Sequence, residues 1–285
     1  MQRAAGLLEM DWMFVTAEVP EARLVEAFRG IRALRFSGVA FLSPHQKAAV
    51  ELVDSMTESA IRSGHVRVAR RDGDAWLGDD TLGMAIVELL TNGHVYGQAS
   101  NAKPTAILAE SIGEAQLRSM PRGVLCTGND WMPHLIRLAR PDWSSKIFQW
   151  DATSDTLSKI TSDQVRTENE ASLSPNAMQP TGTSLNVDST QPRNFGIFII
   201  ENLSPPISSK QLDRMVQGED EVTAVFVHHN ASWESAIQNL NIPRKRIYRS
   251  FDIAAAKAAV NFQFWTGQTP EFVSIRDSLE EYCQW

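Results

Sequence analysis

Cysteine is scarce in this chain: Cys126 and Cys283 are the only two among 285 residues. They lack metal-ligand spacing and are too few for a disulfide framework, which fits a reducing compartment and a cytoplasmic protein. No apolar run approaches the roughly 20 residues of a membrane-spanning helix. The opening Met1-Gln2-Arg3-Ala4-Ala5-Gly6 has no signal-peptide core. Long basic runs are missing too. With 27 Lys and Arg against 34 Asp and Glu, the net charge is -7, which disfavours non-specific binding to a phosphate backbone. The short run Arg244-Lys245-Arg246 reads as a solvated turn. Neither nucleic acid nor membrane is an expected partner.

What is present is ordinary for a globular protein, at 43% hydrophobic and 21% charged residues, and long enough for two medium domains. Trp12 to Val19 alternates apolar residues with Thr and Glu and reads as a strand. Pro20 opens a helix in which Leu24, Phe28 and Ile31 recur at helical spacing. Gly38 to Leu42 is a short apolar strand of the kind buried in parallel sheets, and a helix is expected from Pro44. Thr57 caps a short helix ending at Gly64. Two strands flank a hairpin turn at Asp72-Gly73, and Asp80 or Thr81 caps the next helix.

The second half alternates again. Ala106–Leu108, Val124–Cys126, Ile147–Trp150, Ile197–Ile200 and Val222–Val227 are strand candidates. Between Ser162 and Asn194 the chain is rich in Ser, Thr, Asn, Gln and Pro and has no aromatic residue, which predicts a long mobile loop. Phe272, Ile275, Leu279 and Tyr282 form one face of a closing helix.

Three stretches carry a family resemblance. The first is Gly38-Val39-Ala40-Phe41-Leu42-Ser43-Pro44-His45-Gln46-Lys47, continued by Gly78-Asp79-Asp80-Thr81-Leu82-Gly83. The second is Asn202-Leu203-Ser204-Pro205, and the third Phe262-Gln263-Phe264-Trp265-Thr266-Gly267. In order and spacing they resemble the shikimate dehydrogenases, which read Gly-Phe-Asn-Val-Thr-Ile-Pro-His-Lys, Gly-x-Asn-Thr-Asp-Gly, Asn-Ala/Thr-Thr/Ser-Pro and Phe-x-x-Trp-Thr-Gly at these places. The resemblance implies an α/β protein of two domains. A substrate-binding domain over 1–97 lacks the family's N-terminal Ser-x-Ser segment, so the start is expected to be truncated. A Rossmann-like domain over 98–260 contains the 162–194 loop, and 261–285 returns as a helix towards the first domain. The resemblance also implies a cleft between the domains for a small-molecule ligand, and leaves monomer and homodimer open. The family reaction is the NADP-dependent interconversion of 3-dehydroshikimate and shikimate in aromatic amino-acid biosynthesis.

Residue by residue, the resemblance puts Gln46 on the family's catalytic Lys and Leu82 on its catalytic Asp. Glutamine cannot ionise and leucine has no polar group, so neither exchanges a proton. Lys47 and Asp80 are the neighbouring candidates for a rebuilt acid–base pair. At the substrate positions the family Thr is Leu42, its Asn is Arg67 and its Gln is Lys257, while Thr81 matches. If Arg67 and Lys257 face one site, they suit an anion.

In the nucleotide half the phosphate loop is reduced to Thr127-Gly128-Asn129-Asp130, with Gly128 and Asn129 the remaining candidates to touch a cofactor. Asp151, where the family has an Arg for the 2′-phosphate of NADP, favours NAD, or simply begins a turn or caps the next helix. Asn202 and Ser204 correspond to the residues beside the nicotinamide. NADP, NAD and no dinucleotide at all are the alternatives. His228 and His229 end a strand facing opposite ways, which argues against a shared metal. The leading expectation is a catalytically impaired relative, a pseudoenzyme on an oxidoreductase fold. The alternatives are an active oxidoreductase on shikimate, quinate or a related compound, and a regulatory or interaction protein.

Overall fold

The computed structural model describes residues 1–96, 123–127, 131–151, 156–159, 196–200, 212–213, 215–217, 219, 221–228, 231–270 and 272–283. The chain divides into two units: Met1–Gly97 with Phe251–Trp285, and Gln98–Ser250.

The first unit opens with helix α1 (Gln2–Leu7), which buries Ala4 and Ala5. The stretch from Trp12 to Val19 forms no strand. Period-2 alternation makes a strand only where a ladder partner exists. Here the Gln2 side chain stands in for one: its amide donates to the Trp12 carbonyl at 2.7 Å and accepts from the Phe14 N–H at 3.0 Å. Met13 is left 82% exposed, while Phe14 packs on Phe262 and Trp265 with ring centroids 6.1 and 6.0 Å away.

Helix α2 (Leu24–Ala33) buries Leu24 and Phe28. Strand β1 (Gly38–Ala40) pairs antiparallel with a later strand at the sheet's edge, not in a buried parallel position. The helix expected from Pro44 reduces to turns and a short 3-10 segment over Ala48–Glu51. Local side-chain bonds compete with helix there: the His45 ring donates to the Val19 carbonyl at 2.8 Å and the Gln46 amide to the Phe41 carbonyl at 3.1 Å.

Strand β2 (Ser55–Met56) leads into α3 (Glu58–Ser63). As the sequence predicts, Thr57 caps α3 by accepting from the Ala60 N–H, and Gly64 ends it in the left-handed region. Strands β3 (Val68–Asp72) and β4 (Ala75–Asp79) form the hairpin, but its central residues are Gly73-Asp74, one place later than expected. Only Gly73 takes positive φ, so one glycine satisfies the turn. Helix α4 (Leu82–Tyr96) follows. The sheet order is β1-β3-β4-β2, with Phe28, Phe41, Ala49, Ala60 and Trp76 in the core beside it.

The second unit contains β5 (Val124–Thr127), α5 (Met132–Ala139), β6 (Ile147–Asp151), β7 (Thr156–Lys159), β8 (Ile197–Ile200), β9 (Glu221–Phe226), α6 (Ala231–Gln238) and β10 (Arg244–Tyr248). Their order is β10-β9-β8-β5-β6-β7, parallel except for β7. β5 is buried along its whole length, as a strand covered on both faces must be. β6 and β8 flank it on opposite sides, so the strand order reverses at β5, the place where open α/β sheets bind ligands. Arg244, Lys245 and Arg246 are an edge strand rather than a turn. Charged side chains suit an edge, and Arg246 pairs with Glu221 at 3.1 Å. The candidate strand at Ala106–Leu108 lies outside the described residues.

Helices α7 (Ser250–Thr266) and α8 (Phe272–Cys283) complete the first unit. The Trp265 indole donates to the Ala69 carbonyl at 2.9 Å. The Arg70 guanidinium donates to the Phe264 carbonyl at 3.1 Å and lies 5.0 Å over the Phe264 ring. Gly38 is required by this packing, because a Cβ there would sit 2.3 Å from the Trp265 ring. Among the described residues no helix is long and apolar enough to cross a membrane.

Candidate functional site

Arg67 lies just before β3 and keeps the sheet going, since its N–H donates to the Asp79 carbonyl and its own carbonyl accepts from Phe41, both at 2.9 Å. That pairing fixes its side chain between two others. Nε donates to Asp80 Oδ1 at 2.8 Å, and Nη1 donates to Gln46 Oε1 at 2.6 Å. Asp80 sits in the turn between β4 and α4, where its Oδ1 also accepts from the Leu82 N–H at 3.1 Å. Asp80 thus performs the helix-start role that the sequence allowed for it. Its side chain is 0% exposed and that of Arg67 12%. Asp80 Oδ2 is buried and has no hydrogen-bond partner among the described residues.

The fourth member arrives from α7. Asn261, buried in this helix, accepts from the Thr81 hydroxyl at 2.6 Å. Lys257 lies one helical turn earlier on the same face. It is partly buried and feels the charges of both Arg67 and Asp80. Burial pushes its amine below the ordinary lysine range, the Arg67 charge adds to that, and Asp80 pulls the other way.

Gln46, Asp80, Arg67 and Lys257 are therefore brought together, with Thr81 alongside. The Thr81 hydroxyl is committed to Asn261. Lys47 is outside the group, exposed at the start of the 3-10 segment. Leu82 is 2% exposed in the core, and Leu42 is 71% exposed. Asn261 was missed by sequence reasoning. Its signal was an amide four residues after Lys257, one helical turn on and on the same face.

Chemically the group is two cations and one carboxylate, with the Gln46 amide held at both ends. It can bind negative charge. It contains no proton-exchanging group at position 46 or 82.

In the second unit, Gly128, Asn129, Asn202, Ser204 and the 162–194 loop lie outside the described residues. Asp151 is described only as the last residue of β6, in register with Thr156 of β7. It ends the ladder there. Thr127, at the C-terminal end of β5, has a buried hydroxyl without a partner among the described residues. Among those residues no three His, Cys, Asp or Glu side chains are grouped to hold a metal.

No family model matches the chain. A shikimate dehydrogenase (NADP(+)) of Geobacter metallireducens is 30% identical over 128 residues, 45% of this chain and 44% of that enzyme. One from Bacillus subtilis is 35% identical over 83 residues, 29% of this chain and 30% of its own. The chain thus spans less than half the length of these curated relatives in either match. Among solved structures, the shikimate 5-dehydrogenase of Thermus thermophilus, in complex with NADP(H) and shikimate, has a TM-score of 0.61 at 14% identity, covering 98% of this chain and 92% of that one. The ligand-free 5-ketofructose reductase of a Gluconobacter species also has a TM-score of 0.61, at 15% identity, covering 99% and 91%. The fold is common to enzymes of different substrates, and the local sequence identity lies with one of them. The chain is thus similar to the shikimate dehydrogenases over part of its length in sequence, and shares their fold.

Proposed function

We propose that this chain keeps the shikimate dehydrogenase fold but does not run the family's NADP-dependent interconversion of 3-dehydroshikimate and shikimate at the family's rate. One observation carries the reading. The Gln46 amide, at the position of the family Lys, is tied on one side to the Phe41 carbonyl and on the other to Arg67. It orients its neighbours and exchanges no proton. Leu82, at the position of the family Asp, is buried and apolar. Positioned acid–base groups contribute about 10²–10⁴-fold in rate, so turnover is expected to fall by at least that factor.

A spectrophotometric assay tests this, with shikimate and quinate, each with NADP⁺ and NAD⁺, beside an authentic shikimate dehydrogenase. Turnover at least about a hundredfold below that control is expected. Comparable turnover would overturn the reading.

Lys257 supports a second reading, an oxidoreductase with rebuilt proton transfer. Its amine is displaced towards neutrality by burial and by Arg67, as a general acid–base group requires. In that case Lys257→Met abolishes turnover that the unaltered chain possesses.

We assign any dinucleotide to the C-terminal ends of β5 and β6. By sequence, Gly128 and Asn129 follow β5 there, and the Thr127 hydroxyl, without a partner among the described residues, suits a polar ligand. Asn202 and Ser204 follow β8, and Asp151 favours NAD over NADP. When bound, such a group would supply the hydride acceptor or donor.

A further inference from the structure

The structure assigns a modification site to the tip of the β3–β4 hairpin, where Asp72-Gly73 closes to a succinimide and reopens as isoaspartate. The site is independent of whether the chain turns over shikimate.

The sequence supplies the reacting pair. An aspartyl carboxyl carbon and the next backbone nitrogen can close a five-membered ring, and glycine has no side chain to shield that nitrogen. Asp72-Gly73 and Asn92-Gly93 are the only Asp-Gly or Asn-Gly pairs in the chain. Asn92 and Gly93 fall within α4, whose backbone ladder opposes the rotation that ring closure needs.

The structure supplies the access. Asp72 is exposed, ends β3, and pairs with Ala75 on the last rung of the hairpin. Its carboxylate has no hydrogen bond or ion pair among the described residues. Asp54, which precedes the small Ser55, is the contrast: its carboxylate accepts from Arg32 at 2.9 Å and from the Trp76 N–H at 2.7 Å. Gly73 is the first central residue of the turn, with φ of 62°, as in type II′. The cross-turn bond of such a turn runs from the fourth residue's N–H to the first residue's carbonyl, so it does not use the Gly73 N–H. That N–H makes no other backbone hydrogen bond among the described residues. A Cβ built on Gly73 would meet nothing within 4 Å, so the space around the nitrogen is open. Terminal rungs open at little cost, which frees the Asp72 backbone to bring the nitrogen against Cγ.

The chemistry balances with water alone. The Gly73 nitrogen attacks Cγ of the protonated Asp72 carboxyl. The N–Cγ bond forms, a Cγ–O bond breaks, and the amide proton leaves with the hydroxyl as water. Water then adds to either ring carbonyl. Breaking N–Cγ restores aspartate. Breaking the bond from nitrogen to the main-chain carbonyl carbon leaves isoaspartate, with the chain running through the side chain and the α-carboxylate free. Nothing is oxidised or reduced. The extra methylene falls beside the rung from 72 to 75. It displaces the carbonyls that Arg71 and Arg32 reach, Gly73 at 3.5 Å and Asp74 at 3.4 Å. The freed α-carboxylate is the group that an isoaspartate-specific carboxyl methyltransferase esterifies from S-adenosylmethionine, which makes that enzyme the probe.

Ageing the purified full chain in warm neutral buffer tests the site, with isoaspartate read by enzymatic methylation and located by peptide fragmentation. Isoaspartate is expected to accumulate at position 72, through a minor species one water lighter. Because the last rung opens easily, the folded chain should react within about tenfold of its rate in guanidinium chloride. Position 92, compared with its own rate in guanidinium chloride, should be slowed more than position 72. Asp72→Glu, which would need a six-membered ring, should lose the signal at 72 and keep its melting temperature. No isoaspartate at 72 in the folded chain, slowing there by more than about tenfold, equal slowing at 92, or an undiminished signal in Asp72→Glu would each overturn the inference.

Discussion

Arg67→Met should be among the most damaging single changes to the first unit, and Asp80→Leu added to it should recover most of the loss. In the intact chain Asp80 is fully buried and Arg67 nearly so, with Nε to Oδ1 at 2.8 Å. Removing the guanidinium leaves Asp80 with the Leu82 N–H as its remaining donor among the described residues. Breaking a buried pair from one side costs about 3–5 kcal/mol, because the other charge stays uncompensated. Gln46 Oε1 also loses its 2.6 Å donor, worth roughly a further 1 kcal/mol. In the double variant both charges are gone. Replacing a buried pair by apolar residues is often neutral or stabilising. Against that stands the lost bond to the start of α4, about 1 kcal/mol. The double variant still lacks the Gln46 donor, so it should be more stable than Arg67→Met alone by about 2–4 kcal/mol. Urea titration read by hydrogen exchange in the β3–β4 hairpin reports on this unit separately from the other. A loss below about 1 kcal/mol for Arg67→Met alone would mean that the pair is effectively solvated, and the reasoning would fail.

Two further outcomes are expected. Gly38→Ala sets a methyl group 2.3 Å from the Trp265 ring, which the bond to Ala69 restrains, so a cost of about 1–3 kcal/mol should appear as a lower melting temperature; an unchanged midpoint would refute the close approach. Lys257 has a folded-state pKa below its unfolded value of 10.5, so the unfolded chain binds more protons in the interval between the two. Stability of the first unit should rise with pH across that interval, and Lys257→Met should remove the rise; parallel pH curves for the two proteins would contradict it.

Where chemistry was local, the sequence was a good guide. Thr57 and Gly64 bound α3 because a hydroxyl cap and a left-handed glycine act within a single turn. Gly73 marks the hairpin for the same reason, although the turn's centre is one residue further on. The apolar runs at Val124, Ile147, Ile197 and Val222 became strands because a sheet covered on both faces asks for nothing else. Where an element depends on a partner, the sequence misled. Trp12–Val19 alternates without a ladder to join, and Arg244–Arg246 looks like a turn until β9 lies beside it. In the site, the motif positions named Gln46, Arg67, Asp80 and Lys257 one by one. That Arg67 would bridge Gln46 and Asp80 could not be read from them, because it depends on the pairing of β3 and β4. Asn261 carries no motif at all, and only its bond to Thr81 gives it meaning.

The contact of Trp265 with Gly38 and Ala69 also sets an order of events during synthesis. Its bond to Ala69 joins residues 196 apart, and the whole second unit is encoded between them. At about 5–20 residues per second, the β3–β4 hairpin waits roughly 10–40 s on the ribosome before α7 exists to cover it. During that interval Phe14, Gly38 and the edge of β1 face solvent without the two aromatic rings that later pack on them. A nascent chain in this state offers chaperones an apolar sheet edge, and a chain cut short anywhere before Phe251 never leaves it.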